Sequence, residues 1–85
     1  MKHVLVFGPQ GCGKTTNKAA LAKAFGCERI YDGISLRHFM AEGFEAPEKT
    51  LFLTADAPDM ADHGLLRRAD VHEFSDAMRV VRAAS

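Results

Sequence analysis

Two runs in this chain are apolar without alternation: His3-Val4-Leu5-Val6-Phe7 and Thr50-Leu51-Phe52-Leu53-Thr54. Unbroken runs of this length, bounded by turn residues, predict strands covered on both faces, as in the middle of a parallel sheet. After the first run, Ala20, Leu21, Ala24 and Phe25 form an apolar stripe at helical spacing. The stripe predicts a helix from Gly13 or Lys14 to about Phe25, stopped by Gly26. Glu28-Arg29-Ile30-Tyr31 predicts a short strand ending at Asp32-Gly33. Ser35 is placed to N-cap a short helix that turns Leu36, Phe39 and Met40 inward and breaks at Gly43. Ala46-Pro47-Glu48 reads as a turn and Asp56-Ala57-Pro58-Asp59 as a loop. A short helix is expected around Leu65-Leu66-Arg67-Arg68. Val71-His72-Glu73-Phe74 then predicts a fourth strand whose polar residues suit a more exposed position. Ser75 is expected to cap a last helix, Asp76 to Ala84, packing Ala77, Met78, Val81 and Ala84.

Strands alternating with helices predict an α/β fold with a mainly parallel sheet and right-handed crossovers. Ligands of such sheets sit beyond the carboxyl ends of the strands. That edge would collect the turn after the first strand, Asp32, Thr54, Asp56 and the loop before Arg67.

The turn after the first strand carries the most specific chemistry. Gly8-Pro9-Gln10-Gly11-Cys12-Gly13-Lys14-Thr15 spells G-x-x-x-x-G-K-T, the phosphate-binding P-loop, between a strand and a helix as the motif requires. A triphosphate needs a concave row of backbone N–H donors, which glycines let the chain form close to the phosphates. The following helix points its positive end at them. The backbone from Gly8 through Thr16 is therefore the expected nucleotide-binding segment. Lys14 is expected to reach the β- and γ-phosphates, and the Thr15 hydroxyl to ligate Mg²⁺. A second, acidic anchor for the metal has two candidates. Asp56 follows the stronger strand; Asp32 closes the weaker one. Neither precedes a second acid that would polarise water, since Gly33 follows Asp32 and Ala57 follows Asp56.

Composition narrows the setting. The 85 residues suit one domain, residues 1–85, and are 47% hydrophobic and 26% charged, which excludes a disordered tail or a collagen-like chain. Formal net charge is zero, so no global field favours nucleic acid or an anionic membrane. The apolar run after Met1 is too short for a signal peptide or a membrane span. Cys12 and Cys27 form neither a C-x-x-C pair nor a disulfide scaffold, so reduced thiols and a cytosolic location are expected. Cys12, beside an electropositive helix start, is a candidate for a lowered thiol pKa. His3, His38, His63 and His72 show no i, i+4 pairing, and Asp59, Asp62 and His63 read as a solvated acidic turn.

The order of elements resembles that of P-loop proteins, and the resemblance implies a three-layer sandwich with a four-stranded sheet in the order 2-3-1-4. The opening Val-Phe-Gly-Pro-Gln-Gly-Cys-Gly-Lys-Thr-Thr-Asn-Lys-Ala-Ala-Leu, with Phe-Gly-Cys-Glu-Arg-Ile-Tyr-Asp after the first helix, looks like small phage- and prophage-encoded P-loop proteins. Residues 4–33 carry most of that likeness. The stretch from Leu51 to Phe74 is similar, more loosely, to AAA+ ATPases and superfamily 3 helicases. That likeness implies that Thr54 is a sensor and that Arg67 or Arg68 contacts a γ-phosphate, in its own or a neighbouring subunit. Ala55 stands where those proteins typically have Asn.

Two functions follow as expectations. One is an ATP- or other nucleoside-triphosphate-binding enzyme, with slow or partner-dependent hydrolysis or a reduced nucleotide-kinase-like phosphotransfer. The other is a nucleotide-binding regulatory or assembly module without turnover. In either, a homo-oligomer or a protein partner would complete a site that so short a chain leaves open.

Overall fold

A computed structural model describes residues 2–9, 11, 13–42, 48–59, 61 and 63–84. Four strands, β1 (His3–Phe7), β2 (Arg29–Asp32), β3 (Thr50–Thr54) and β4 (Ala69–Glu73), alternate with four helices, α1 (Lys18–Phe25), α2 (Leu36–Glu42), α3 (His63–Arg68) and α4 (Phe74–Ala84). The sheet runs β2-β3-β1-β4, and every pairing is parallel. Both unalternating runs are therefore interior strands. In β3 all five residues are buried, because helices cover both of its faces.

The period-two alternation of β1 and β3 divides the core into two halves. Val4, Val6, Leu51 and Leu53 meet Leu21 and Ala22 of α1 and Ala77 of α4, with Phe25, Phe74, Met78 and Val81 against them. On the other face Leu5 and Phe52 meet Ile34, Phe39 of α2, and Leu65 beside α3's junction with Ala69. The result is three layers, helix pair on sheet on helix pair, in the expected order. Edge strand β2 is exposed throughout, and β4 is buried only at Ala69 with its middle half-buried.

Several boundaries differ from the sequence reading. Regular α1 geometry begins at Lys18. Residues 14–17 are hydrogen-bonded turns, with Asn17 N–H donating to the Gly13 carbonyl (3.1 Å) and Lys18 N–H to that of Thr15 (3.4 Å). The α1 stripe is Leu21, Ala22 and Phe25, with Ala20 exposed. Alanine's small side chain costs little on either side, so it does not fix a helix face. The α1 stop is as expected: Gly26 is left-handed at φ 70°, and Cys27 N–H reaches the Ala22 carbonyl at 2.8 Å.

Ser35 caps α2, its Oγ accepting from His38 N–H at 3.1 Å, and Phe39 is fully buried. The Met40 side chain, Gly43 and the Ala46-Pro47 part of the expected turn lie outside the described residues. β4 starts two residues early and ends at Glu73, and α4 begins at Phe74. Ser75 is not its cap, because its hydroxyl donates to the Glu73 carboxylate at 2.8 Å. Ala84 is exposed, while Ala77, Met78 and Val81 pack inward.

Candidate phosphate-binding site

Parallel pairing brings the carboxyl ends of all four strands to one edge. Phe7, the last residue of β1, lies between Thr54 of β3 and Glu73 of β4, and the glycine-rich segment leaves from this central point. Gly8 N–H donates to the Thr54 carbonyl at 3.2 Å and so carries the β1–β3 ladder one step into the loop. Gly11 and Gly13 have φ of 81° and 104°, a region open to glycine and costly for L side chains. No non-glycine residue among those described has a positive φ. Within the loop, the left-handed conformations described thus fall on glycines that the motif supplies. Lys14 folds back across the loop, its Nζ donating to the carbonyls of Gly8 (2.6 Å) and Pro9 (3.1 Å). Charge-assisted bonds of this kind are stronger than neutral ones and hold the ammonium over the loop.

A pocket of about 530 Å³ opens at this edge, within the size range of small-ligand sites. Gly11, Gly13, Lys14, Thr15 and Thr16 form one wall. Asp32 to Ser35 form a second, and Leu53 to Asp56 form the floor between them. Asp32, at the end of β2, faces Lys18 of α1 across 3.9 Å. Asp56 is set by two contacts. Its own N–H donates to the buried Thr54 hydroxyl at 3.1 Å, and its Oδ2 accepts the Leu36 N–H, the first amide of α2, at 3.0 Å. The Ile34 N–H, donating to the Leu53 carbonyl at 3.2 Å, ties the second wall to β3.

The structure therefore gathers Gly11, Gly13, Lys14, Thr15, Thr16, Asp32 and Asp56 around one cavity, with Gly8 and Pro9 binding Lys14 behind it. Gln10 and Cys12 of the same segment lie outside the described residues. β3 rather than β2 is the neighbour of β1, so Asp56 follows the strand that adjoins the one leading into the glycine-rich loop. Arg67 and Arg68 stand elsewhere. They end α3 just before Ala69, which pairs with His3 at the start of β1, so they lie at the amino edge of the sheet. A five-residue strand, roughly 15 Å long, separates that edge from the loop, and neither arginine lines the pocket.

Among the described residues, no group of three or more His, Cys, Asp or Glu is arranged to hold a metal. Asp59 binds the Ala61 N–H locally at 2.9 Å, whereas Asp62 and the His63 side chain lie outside the described residues. His3 is buried, its Nδ1 accepting the Thr50 N–H at 3.1 Å, and it belongs to the β1–β3 seam rather than to the site. Cys27 is half-buried at the end of α1; burial pushes its thiol pKa up, partly offset by the Lys49 ammonium. The sequence reading missed Asn17, whose Nδ2 donates to the Gly13 carbonyl at 2.9 Å. Asn is a preferred residue just ahead of a helix, and this was the available signal that α1 starts later.

No family model matches the chain, and no solved structure matches it significantly. Over 43 residues it is 40% identical to an adenylate kinase from Lawsonia intracellularis (strain PHE/MN1-00), a match covering 51% of this chain and 19% of that protein. The chain thus spans about a fifth of the length of the curated relative it matches. The match and the parallel 2-3-1-4 sheet together fit a P-loop NTPase-like fold. No helix among the described residues is long and apolar enough to cross a membrane.

Proposed function

We propose that this chain binds a nucleoside triphosphate, ATP foremost, through the backbone of residues 8–16 and Lys14. One observation carries the reading: the glycine-rich turn, with Lys14 held across it, forms one wall of the same pocket that Asp32 and Asp56 line at the carboxyl edge. The partial likeness to an adenylate kinase supports it. In this proposal the N–H groups of residues 11–16 face the phosphate oxygens, and Lys14 supplies positive charge beside them. The Thr15 hydroxyl and the carboxylates of Asp56 and Asp32 are hard oxygen donors, which fits Mg²⁺. Bound there with the triphosphate, the ion would offset charge on the phosphate oxygens.

Hydrolysis, in this reading, is slow or depends on a partner. Asp32 and Asp56 each already hold a contact within the chain, and neither is followed by a second acid. An arginine acting on the phosphates would come from a second copy or another protein, with Arg67 and Arg68 as the candidate donors. A phosphotransferase is the second reading. The wall from Asp32 to Ser35 extends the pocket beyond the phosphate loop, and an acceptor would have to sit along it. A regulatory module without turnover would use the same phosphate contacts and stop there. The proposal places the protein in the cytosol; a mobile-element origin rests on the likeness of residues 4–33 alone.

The test is calorimetric titration with ATP and Mg²⁺. Wild type should bind, and Lys14→Ala should weaken binding about 10- to 100-fold, the range for losing a charged hydrogen-bonding group. Its melting temperature should stay near that of wild type. Equal binding by the two proteins would remove the site assignment.

A further inference from the structure

Two side chains stand against Gly13. Its carbonyl accepts two bonds from Asn17, one from the backbone N–H at 3.1 Å and one from Nδ2 at 2.9 Å. The ring of Phe74 stands beside Asn17 Nδ2 on the face where a Cβ would project. A Cβ added at Gly13 would stand 3.6 Å from Phe74 Cζ and 3.4 Å from Asn17 Nδ2. Phe74 is the first residue of α4, directly after Glu73, which pairs with Phe7 at the start of the loop. Its ring also packs against the core cluster shared by α1, α4 and the sheet. Gly11 shows the contrast: its φ is 81°, yet a Cβ there would meet nothing within 4 Å. The loop is open at Gly11 and clamped at Gly13, the residue immediately before Lys14.

We propose that Asn17 and Phe74 are positioning residues that fix Gly13, and through it the amides of residues 13–16 and Lys14, in the anion-binding conformation before ligand arrives. The inference rests on the phosphate-binding reading above. Its physical basis is preorganisation: donors already aimed need no ordering at the moment of binding. The two contacts divide the task. Asn17 satisfies the Gly13 carbonyl, and Phe74 supplies contact without offering a competing donor or acceptor. The ring also couples α4, at the end of the described chain, to the glycine-rich loop near its beginning.

The experiment compares Asn17→Ala, Phe74→Ala, Phe74→Leu, Lys14→Ala and Met78→Ala with wild type. Met78 serves as the packing control, since it joins the same cluster from the same helix without being among the contacts at Gly13. ATP-Mg²⁺ affinity is read by calorimetry well below each melting temperature, and amide exchange is read on the ligand-free proteins. Asn17→Ala and Phe74→Ala should each weaken binding by about 10-fold, comparable to losing a well-made hydrogen bond. Both should speed exchange at residues 13–16 while leaving β1 protected. Phe74→Leu should recover most of the affinity, and Met78→Ala should bind as wild type. If Phe74→Ala does not fold, Asn17→Ala and Phe74→Leu decide on the same two readouts. Loss of affinity in Met78→Ala equal to that in Phe74→Ala would overturn the clamp, as would wild-type binding in Asn17→Ala and Phe74→Ala while Lys14→Ala binds more weakly. Wild type and Lys14→Ala binding alike, or not at all, would overturn the phosphate site itself and the clamp with it.

Discussion

Lys14 and Cys27 show how differently two reactive side chains are governed by their surroundings. The Lys14 ammonium is exposed enough to line a pocket, yet it is directed by the carbonyls of Gly8 and Pro9, residues its own motif supplies. Cys27 sits where α1 stops, half-buried against the core half shared by α1 and α4, and desolvation there disfavours the thiolate more than Lys49 favours it. Its folded pKa therefore lies above that of the unfolded chain. The stability this contributes is complete below the ordinary thiol pKa and is lost as pH rises through the folded value. Alkylation at neutral pH, read site by site by peptide mass spectrometry, should be slower at Cys27 in the folded protein than in the unfolded one. Thermal melts should fall on the alkaline side more steeply for wild type than for Cys27→Ala. Equal labelling rates in folded and unfolded protein would show that the thiol is not shielded. The motif made Lys14 legible in the sequence, but no motif could announce Asn17, because its partner is a backbone carbonyl created by the loop's own bend.

At the scale of elements, the strands were the most legible part. β1 and β3 are readable because both faces of each demand apolar residues, and the structure buries all of β3 and nearly all of β1. Leu53, fully buried against α1 and α4, should lose about 2–5 kcal/mol of stability on replacement by alanine. Ile30, on edge strand β2 and 39% exposed, should lose less, about 1 kcal/mol or under. Urea unfolding of the two variants checks the ranking, and a larger loss at Ile30 would contradict the assignment of centre and edge. Helix starts were less legible, for reasons specific to each. α1 is delayed because the turn over residues 14–17 stays bound to the loop through Gly13 and Thr15. α4 begins early, at Phe74, whose ring packs against the core and stands near Gly13, and Ser75 bonds with Glu73 instead of capping. Both exceptions concentrate at the glycine-rich loop. Local propensity gives way where tertiary contacts hold a candidate site.

For the whole molecule, the strand order decides what can meet. With β3 between β2 and β1, Asp56, Thr54 and the loop converge at one edge, and the same parallel pairing sends Arg67 and Arg68 to the other. A sequence places residues along a line, and only the crossovers determine which end of a strand they reach. Any contribution of these arginines to phosphate chemistry must therefore cross between molecules. Single-turnover hydrolysis should then rise per molecule with protein concentration and fall in Arg67→Ala or Arg68→Ala by up to the 10³–10⁵ range known for arginine fingers. Activity that is flat on dilution and survives both substitutions would leave the arginines as surface charge.

The phosphate site itself is tested most directly by amide NMR of the ¹⁵N-labelled protein titrated with ATP and Mg²⁺. The amides of Gly11 and residues 13–16 should shift together and saturably, with smaller movements at Asp32 and Asp56, whose residues line the same pocket. Lys14→Ala should need about 10- to 100-fold more ligand for the same shifts. Shifts confined to another surface, or none at ligand concentrations in the millimolar range, would contradict a phosphate site at this loop.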